Sequence, residues 1–199
     1  MCGCGCFPKN EVVKIVLMRH GPSEYCLQQK QSAAQLSEAV RAYRDGGLHP
    51  MAEVPAASLQ ESKQCRFVVC SGLPRAQQSL NLMDISADVA DDLFNESDLP
   101  YFYLPFLVMP LMWWAILFRA LSTLGLTRNG ESLSCLKQRA LQAATQLECN
   151  AAEHESVLLM GHGLMNHFIG KSLQAHGWQR SFRGGSDHWG YSVYEKINY

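Results

Sequence analysis

Arg19 and His20 stand side by side at the end of an apolar, β-branched run, residues 12–18, and a Gly21-Pro22 turn follows them. Two neighbouring cationic groups at a strand end repel unless an anion lies between them. Two further apolar runs end in similar chemistry. CRFVVC (65–70) leads into SGLPRA, which carries Arg75 in the first turn of an expected helix, and SVLLMGH (156–162) leads into His162-Gly163 and another helix. In open α/β sheets, ligands bind beyond the carboxyl ends of the strands. Helix N-termini at that edge supply N–H donors and the positive end of a dipole. Arg19, His20, Arg75 and His162 are therefore expected to face one small volume, and four such groups suit a phosphate.

The elements that must position them follow from periodicity. Residues 32–44 read as an amphipathic helix stopped by Gly46-Gly47, and a weaker helix covers 52–62. Pro74 opens a helix over 74–83. Residues 131–154 form a long helix, 163–177 another, and 190–197 a last strand. Strands alternating with helices imply an α/β fold with a mainly parallel sheet, arranged as a three-layer α/β/α sandwich. The 199 residues are 47% hydrophobic, enough for one domain over 1–199 with its own core. Lys and Arg number 17 against 18 Asp and Glu, so no basic excess points to nucleic acid.

The motifs in order resemble the histidine phosphatase superfamily, the phosphoglycerate mutase-like proteins. Arg19-His20-Gly21 resembles its RHG, and Ser71 to Ser79 (SGLPRAQQS) its S-x-x-x-R-A-x-Q-[ST] pattern. Glu96 in LFNESD sits where the family places an acid–base carboxylate. Gly130-Glu131-Ser132 resembles its GES, and Gly161-His162-Gly163 its late GHG. Pro22 stands where the family often has Glu or Gln, and Cys26 where many members have Asn. The resemblance spans 12–195 and implies a phosphomonoester hydrolase working through a phosphohistidine on His20. Arg19 and Arg75 would clamp phosphate oxygens, His162 would bind another, and Glu96, shielded by Leu93, Phe94 and Leu99, would move the proton. Gly21, Ser23 and Gly163 would complete the phosphate cradle. No metal and no cofactor is expected. The alternatives are a phosphoglycerate mutase-like phosphotransferase, and a non-catalytic member of the fold that binds a membrane or a partner.

Residues 99–118 carry no charge and contain three prolines. A single membrane span there would separate Glu96 from His162, so the segment is expected to form an apolar helical cap, an insertion over about 99–126. Its aromatics (Tyr101, Phe102, Tyr103, Phe106, Trp113, Trp114, Phe118) imply a phosphorylated substrate with a lipophilic part, a peripheral membrane contact or a homodimer. Eight cysteines without secretory patterning suggest a reducing cytoplasm, peripheral to the membrane if the cap binds lipid. Cys2, Cys4 and Cys6 are spaced too tightly for usual paired zinc ligation and read as a metal-binding, lipid-modified or frayed end. The others are expected in apolar surroundings. His188 is a candidate for the pocket rim. Glu131 and Ser132 are candidates for capping the long helix, and His49, His154, His167 and His176 for surface or packing roles.

Overall fold

The computed structural model describes residues 12–98, 101, 104, 107–126 and 129–197. Its centre is a six-stranded sheet of β1 (Val12–Arg19), β3 (Phe67–Ser71), β4 (Val89–Asp91), β6 (Ser156–Gly161), β7 (Gln179–Arg183) and β8 (Tyr191–Ile197), in the order β4-β3-β6-β1-β8-β7. The pairs β1–β6, β3–β6 and β3–β4 are parallel, and β8 and β7 close one edge antiparallel. β1, β3 and β6 are apolar at nearly every position because both of their faces are covered. On one face Ile15, Leu17, Val69, Val157 and Leu159 pack against α5 (Leu133–His154) and α6 (Gly163–Ala175). On the other, Val16, Met18, Val68, Cys70, Leu158 and Met160 pack against α3 (Pro74–Leu82) and Leu59 of α2 (Ala56–Lys63). Period-two alternation thus sends each strand's residues into two separate cores, which makes the molecule an α/β/α sandwich.

A third apolar cluster holds the insertion. α4 (Leu111–Thr123) buries Leu111, Trp114 and Phe118 against Leu36 and Ala39 of α1 (Leu36–Asp45). Fully burying side chains such as Leu111 and Phe118 stabilises this seat by roughly 1.5–3 kcal/mol each. The Trp114 indole N–H donates to Gln31 O at 3.0 Å, so its polar edge is satisfied inside the apolar cluster. Trp113 and Ile116 are 53% and 52% exposed. Of the seven aromatics in the run, Trp114 and Phe118 are core, and Phe102, Tyr103 and Phe106 lie outside the described residues. Among the described residues no helix is long and apolar enough to cross a membrane.

Several sequence expectations need correction. The helix expected over 32–44 begins one residue later as a 3₁₀ turn, Ala33–Gln35, leading into α1, because Ser32 belongs to a strand, β2 (Lys30–Ser32), paired with β5 (Val108–Pro110) at the entry to α4. β4 and β7 had no apolar run to announce them; their residues are exposed throughout. Cys70 is buried and its thiol is pushed up to about 12 by burial, but Cys26 and Cys135 are exposed rather than set in apolar surroundings. Cys2, Cys4 and Cys6 and Leu99 lie outside the described residues.

Candidate active site

His20 follows β1 directly and is 2% exposed. Its Nδ1 lies 2.6 Å from Gly21 O. A carbonyl only accepts, so Nδ1 carries the proton and Nε2 keeps a lone pair. That lone pair accepts the Arg75 Nε–H at 3.1 Å. Arg75 is 1% exposed, and its Nη1 donates to Tyr43 O (3.2 Å) and Arg44 O (2.9 Å), fixing the guanidinium under His20. Gly21 is required here because a Cβ would collide with the Trp189 ring. Its N–H donates to Ser79 Oγ at 2.9 Å, and the Ser79 hydroxyl donates to Arg75 O at 2.7 Å. The serine that ends the SGLPRAQQS motif therefore ties His20 and Arg75 into one unit.

His162, wholly buried, lies with its ring 4.9 Å from that of His20. Asn95 donates through Nδ2 to Asp92 and so turns Oδ1 toward the Ser71 hydroxyl, which donates to it at 2.7 Å. Ser71 Oγ must then accept from His162 Nε2–H, 2.7 Å away. His162 Nδ1 is left with a lone pair and no partner among the described residues, and the buried N–H donor of Arg19 Nε likewise has none among them. Buried polar atoms without partners cost about 1–3 kcal/mol each and mark places where a ligand can supply the missing contact. Arg19 donates through Nη1 to Ser186 O at 2.6 Å and sets Nη2 3.3 Å from His188 Nε2, while the His188 ring lies 5.7 Å from that of His20. The proposed rim histidine is thus brought to the cluster. Gly163 starts α6 beside the Arg19 side chain, where a Cβ would make only ordinary contact, whereas the Ser23 hydroxyl accepts Tyr25 N–H on the loop beyond.

Glu96 stands at the start of α6. Oε1 accepts from Ser97 N–H (3.0 Å) and Met165 N–H (3.2 Å), and Oε2 from Leu164 N–H (3.2 Å). The carboxylate therefore rests on the first amides of α6, where a negative charge meets the positive end of the helix. Two arginines that no motif announces hold its loop. Arg139 of α5 donates through Nη1 to Leu93 O (2.9 Å) and Asn95 O (2.7 Å), and grips Glu131 with its other nitrogens at 2.8 and 2.7 Å. Arg119 of α4 donates to Ser97 Oγ (2.9 Å) and Ser97 O (3.0 Å). Ser132 caps α5 by accepting Cys135 N–H, while Glu131 is Arg139's partner. A cavity of about 480 Å³ opens here, with Arg75, Glu96, Arg119 and Glu131 on its polar side. Leu27, Leu111, Met112, Ile116, Leu164 and Phe168 contribute its apolar walls.

Burial, and then the Arg75 charge, hold His20 well below the usual histidine range; burial, then His20 and Arg75, do the same to His162. Both rings are neutral at neutral pH. Below about pH 6.5, the ordinary histidine value, the unfolded chain takes up protons that these folded rings refuse. Stability is therefore expected to fall as pH drops from 7 to 5. The melting temperature of His162→Gln, which has no proton to refuse, should fall less over the same range. Equal slopes in both chains would assign the acid sensitivity to other groups.

No protein-family profile and no curated protein matches the chain. Solved structures do. A functionally characterised open reading frame product of Mycobacterium tuberculosis is similar over 94% of this chain and 96% of its own, with a TM-score of 0.59 and 14% identity. Phosphoserine phosphatase from Entamoeba histolytica, in complex with 3-phosphoglyceric acid, is similar over 90% of this chain and 89% of its own, TM-score 0.55, 17% identity. Mycobacterial glucosyl-3-phosphoglycerate phosphatase is similar over 82% and 80%, TM-score 0.52, 15% identity. At such identities the likeness is one of fold: these proteins share the α/β/α sandwich described above.

Proposed function

We propose that this chain, built on the histidine phosphatase fold, hydrolyses phosphate monoesters through a phosphohistidine on His20. One observation carries the reading: a neutral imidazole, its Nδ1–H committed to Gly21 O, presents an Nε2 lone pair to the Arg75 guanidinium. An arriving phosphate gives Arg75 and Arg19 an anionic acceptor and frees that lone pair. Nε2 then attacks phosphorus. The N–P bond forms, the P–O bond to the leaving group breaks, and the leaving oxygen takes a proton from Glu96. In the second step water gives its proton to the Glu96 carboxylate and attacks phosphorus, and the N–P bond breaks to restore His20. His162 Nδ1, which holds a lone pair, accepts the proton of an arriving monoester monoanion and then donates to a remaining phosphate oxygen, while His188, beside Arg19, meets another. Spreading positive charge and donors over the equatorial oxygens supplies most of the rate.

The apolar walls beside Arg75 and Glu96 support a substrate whose leaving group carries a lipophilic part. Ile116→Asp is expected to raise KM for a naphthyl or octyl phosphate at least tenfold while changing that for a methyl phosphate less than threefold. Equal changes would remove α4 from substrate contact. The test of the activity itself is turnover of p-nitrophenyl phosphate by the purified chain. Because Arg19 and Arg75 supply the positive charge, that turnover is expected to survive EDTA. Absence of turnover under all pH conditions between 5 and 8 would favour the non-catalytic reading. Loss on chelation, restored by one metal, would replace the mechanism.

A further inference from the structure

On the other side of α6 lies a second cavity, of about 360 Å³, between that helix and the β8–β7 edge of the sheet. His167 and Lys171 face it from α6, Arg180 and Arg183 from β7, and Arg19 from the end of β1. No Asp or Glu is among its lining residues. Such a density of positive charge is unusual in a chain whose formal net charge is −1. Lys171, Arg180 and Arg183 form no ion pair among the described residues; Lys14, Arg41, Arg44, Arg66 and Arg139 do, while Lys30, Lys63, Lys137 and Lys196 do not but are absent from this cavity's lining.

The backbone is arranged to bring two of these cations to one face. Residues three apart on a regular strand point to opposite faces. β7 departs from this: Arg180 pairs with Tyr194 and Arg183 with Ser192, with an irregularity between Arg180 and Phe182. The extra residue on β7 resets the alternation, so Arg180 and Arg183 both stand over the face of β8 that carries Ser192 and Tyr194. Tyr194 and Ser192 line the same cavity. Burial and the nearby Lys171, Arg183 and Arg180 charges together lower the His167 value, as convergent cations must. Charged residues on an edge strand also discourage pairing between sheets, but that role needs neither a bulge that aligns them nor a matching lysine on the facing helix.

We infer that this cavity is a binding site for a small phosphorylated polyanion, distinct from the His20 centre and joined to it through Arg19. Like charges held this close repel one another, and an anion with several phosphate oxygens removes that repulsion while taking bidentate contacts from two guanidinium groups. A cavity of this volume accommodates a ligand of triphosphate size rather than an extended backbone. Arg19 is the shared element. Its Nη1 is held by Ser186 O on this cavity's wall, and its Nη2 approaches His188 beside His20. Occupancy here therefore bears on how firmly Arg19 is held toward the reaction centre.

The test is calorimetric titration of the full chain with inorganic tripolyphosphate at fixed salt. Arg180→Glu/Arg183→Glu is expected to weaken one class of binding at least tenfold, and Lys171→Gln at least threefold. Turnover of p-nitrophenyl phosphate without tripolyphosphate should stay within twofold in Arg180→Glu/Arg183→Glu, since neither residue touches His20. Arg41→Glu, at an exposed position on α1, should bind as the parent does. Arg75→Ala should lose only tripolyphosphate bound at the reaction centre and keep the β7-dependent class. Unchanged binding in Arg180→Glu/Arg183→Glu would overturn the site. So would equal weakening in Arg41→Glu, which marks nonspecific attraction, or disappearance of all binding in Arg75→Ala. If the double charge reversal does not fold, Arg180→Gln/Arg183→Gln and Lys171→Gln decide the matter. The binding readouts do not depend on whether the His20 centre is a phosphatase.

Discussion

His20→Ala is expected to lower p-nitrophenyl phosphate turnover by roughly 10⁴–10⁶-fold, the scale seen when an enzyme loses a member of its nucleophilic machinery. The reason is local. Nε2 is the one ring atom of His20 left with a lone pair once Nδ1–H is bonded to Gly21 O, and the nearest cation already points at it. Alanine leaves Arg75 anchored by Tyr43 O and Arg44 O, so phosphate binding should largely survive while the covalent step does not. KM should therefore change much less than kcat. In the parent chain, quenching during turnover should trap acid-labile phosphate on His20, which mass spectrometry detects. Unchanged turnover in His20→Ala, or a trapped phosphate on another residue, would end the phosphohistidine reading. His20→Gln offers a second measurement if alanine perturbs packing against His162.

The strands that carry His20, Arg75 and His162 were legible because β1, β3 and β6 are covered on both faces and therefore continuously apolar. β7 was not. QRSFR is an edge strand with every residue exposed, and nothing in its pattern distinguishes it from a loop until β8 pairs with it. The helix start near Ser32 was misplaced for a related reason. Periodicity assigns Ser32 to the helix, and residues 33–35 do turn as a 3₁₀ helix, but the contact that captures Lys30–Ser32 comes from Val108–Pro110, far away in the chain. Tertiary pairing overrides local preference there.

The same separation divides the site. Side chains at strand ends are placed by the sheet alone, so Arg19, His20, Arg75 and His162 were readable as a group. Arg119 and Arg139 are placed by how α4 and α5 dock. Arg139 bonds to Leu93 O and Asn95 O, and Arg119 to Ser97, each across an intervening element. No spacing rule within one helix reveals such contacts. They were missed although Arg139 sits eight residues after Glu131, its salt-bridge partner at 2.7 Å. Contacts of this kind decide where Glu96 stands.

Glu96→Gln is expected to lose about 10²–10⁴-fold in rate on alkyl phosphates, the range associated with a positioned general acid, and far less on p-nitrophenyl phosphate. An alkoxide leaves only if it receives a proton as the P–O bond breaks, whereas a nitrophenolate carries its negative charge unaided. The geometry gives this comparison its force. Both carboxylate oxygens of Glu96 accept backbone N–H groups, from Ser97, Leu164 and Met165. Glutamine has one acceptor oxygen and would turn an N–H donor toward one of those amides, so some loss from misplacement at the α6 N-terminus is built into the variant. Misplacement alone slows both substrates alike, because it acts before the leaving group differs. A loss confined to poor leaving groups isolates the proton. Arg139→Gln supplies the complementary measurement: it frees Leu93 O and Asn95 O and so loosens the Glu96 loop without removing the carboxyl. Its rate loss should be smaller than that of Glu96→Gln on alkyl phosphates, and Arg139→Lys should recover part of it. Equal losses for Glu96→Gln across alkyl and nitrophenyl phosphates would transfer the acid to another carboxyl on the same cavity, with Glu131 the residue in place to take it.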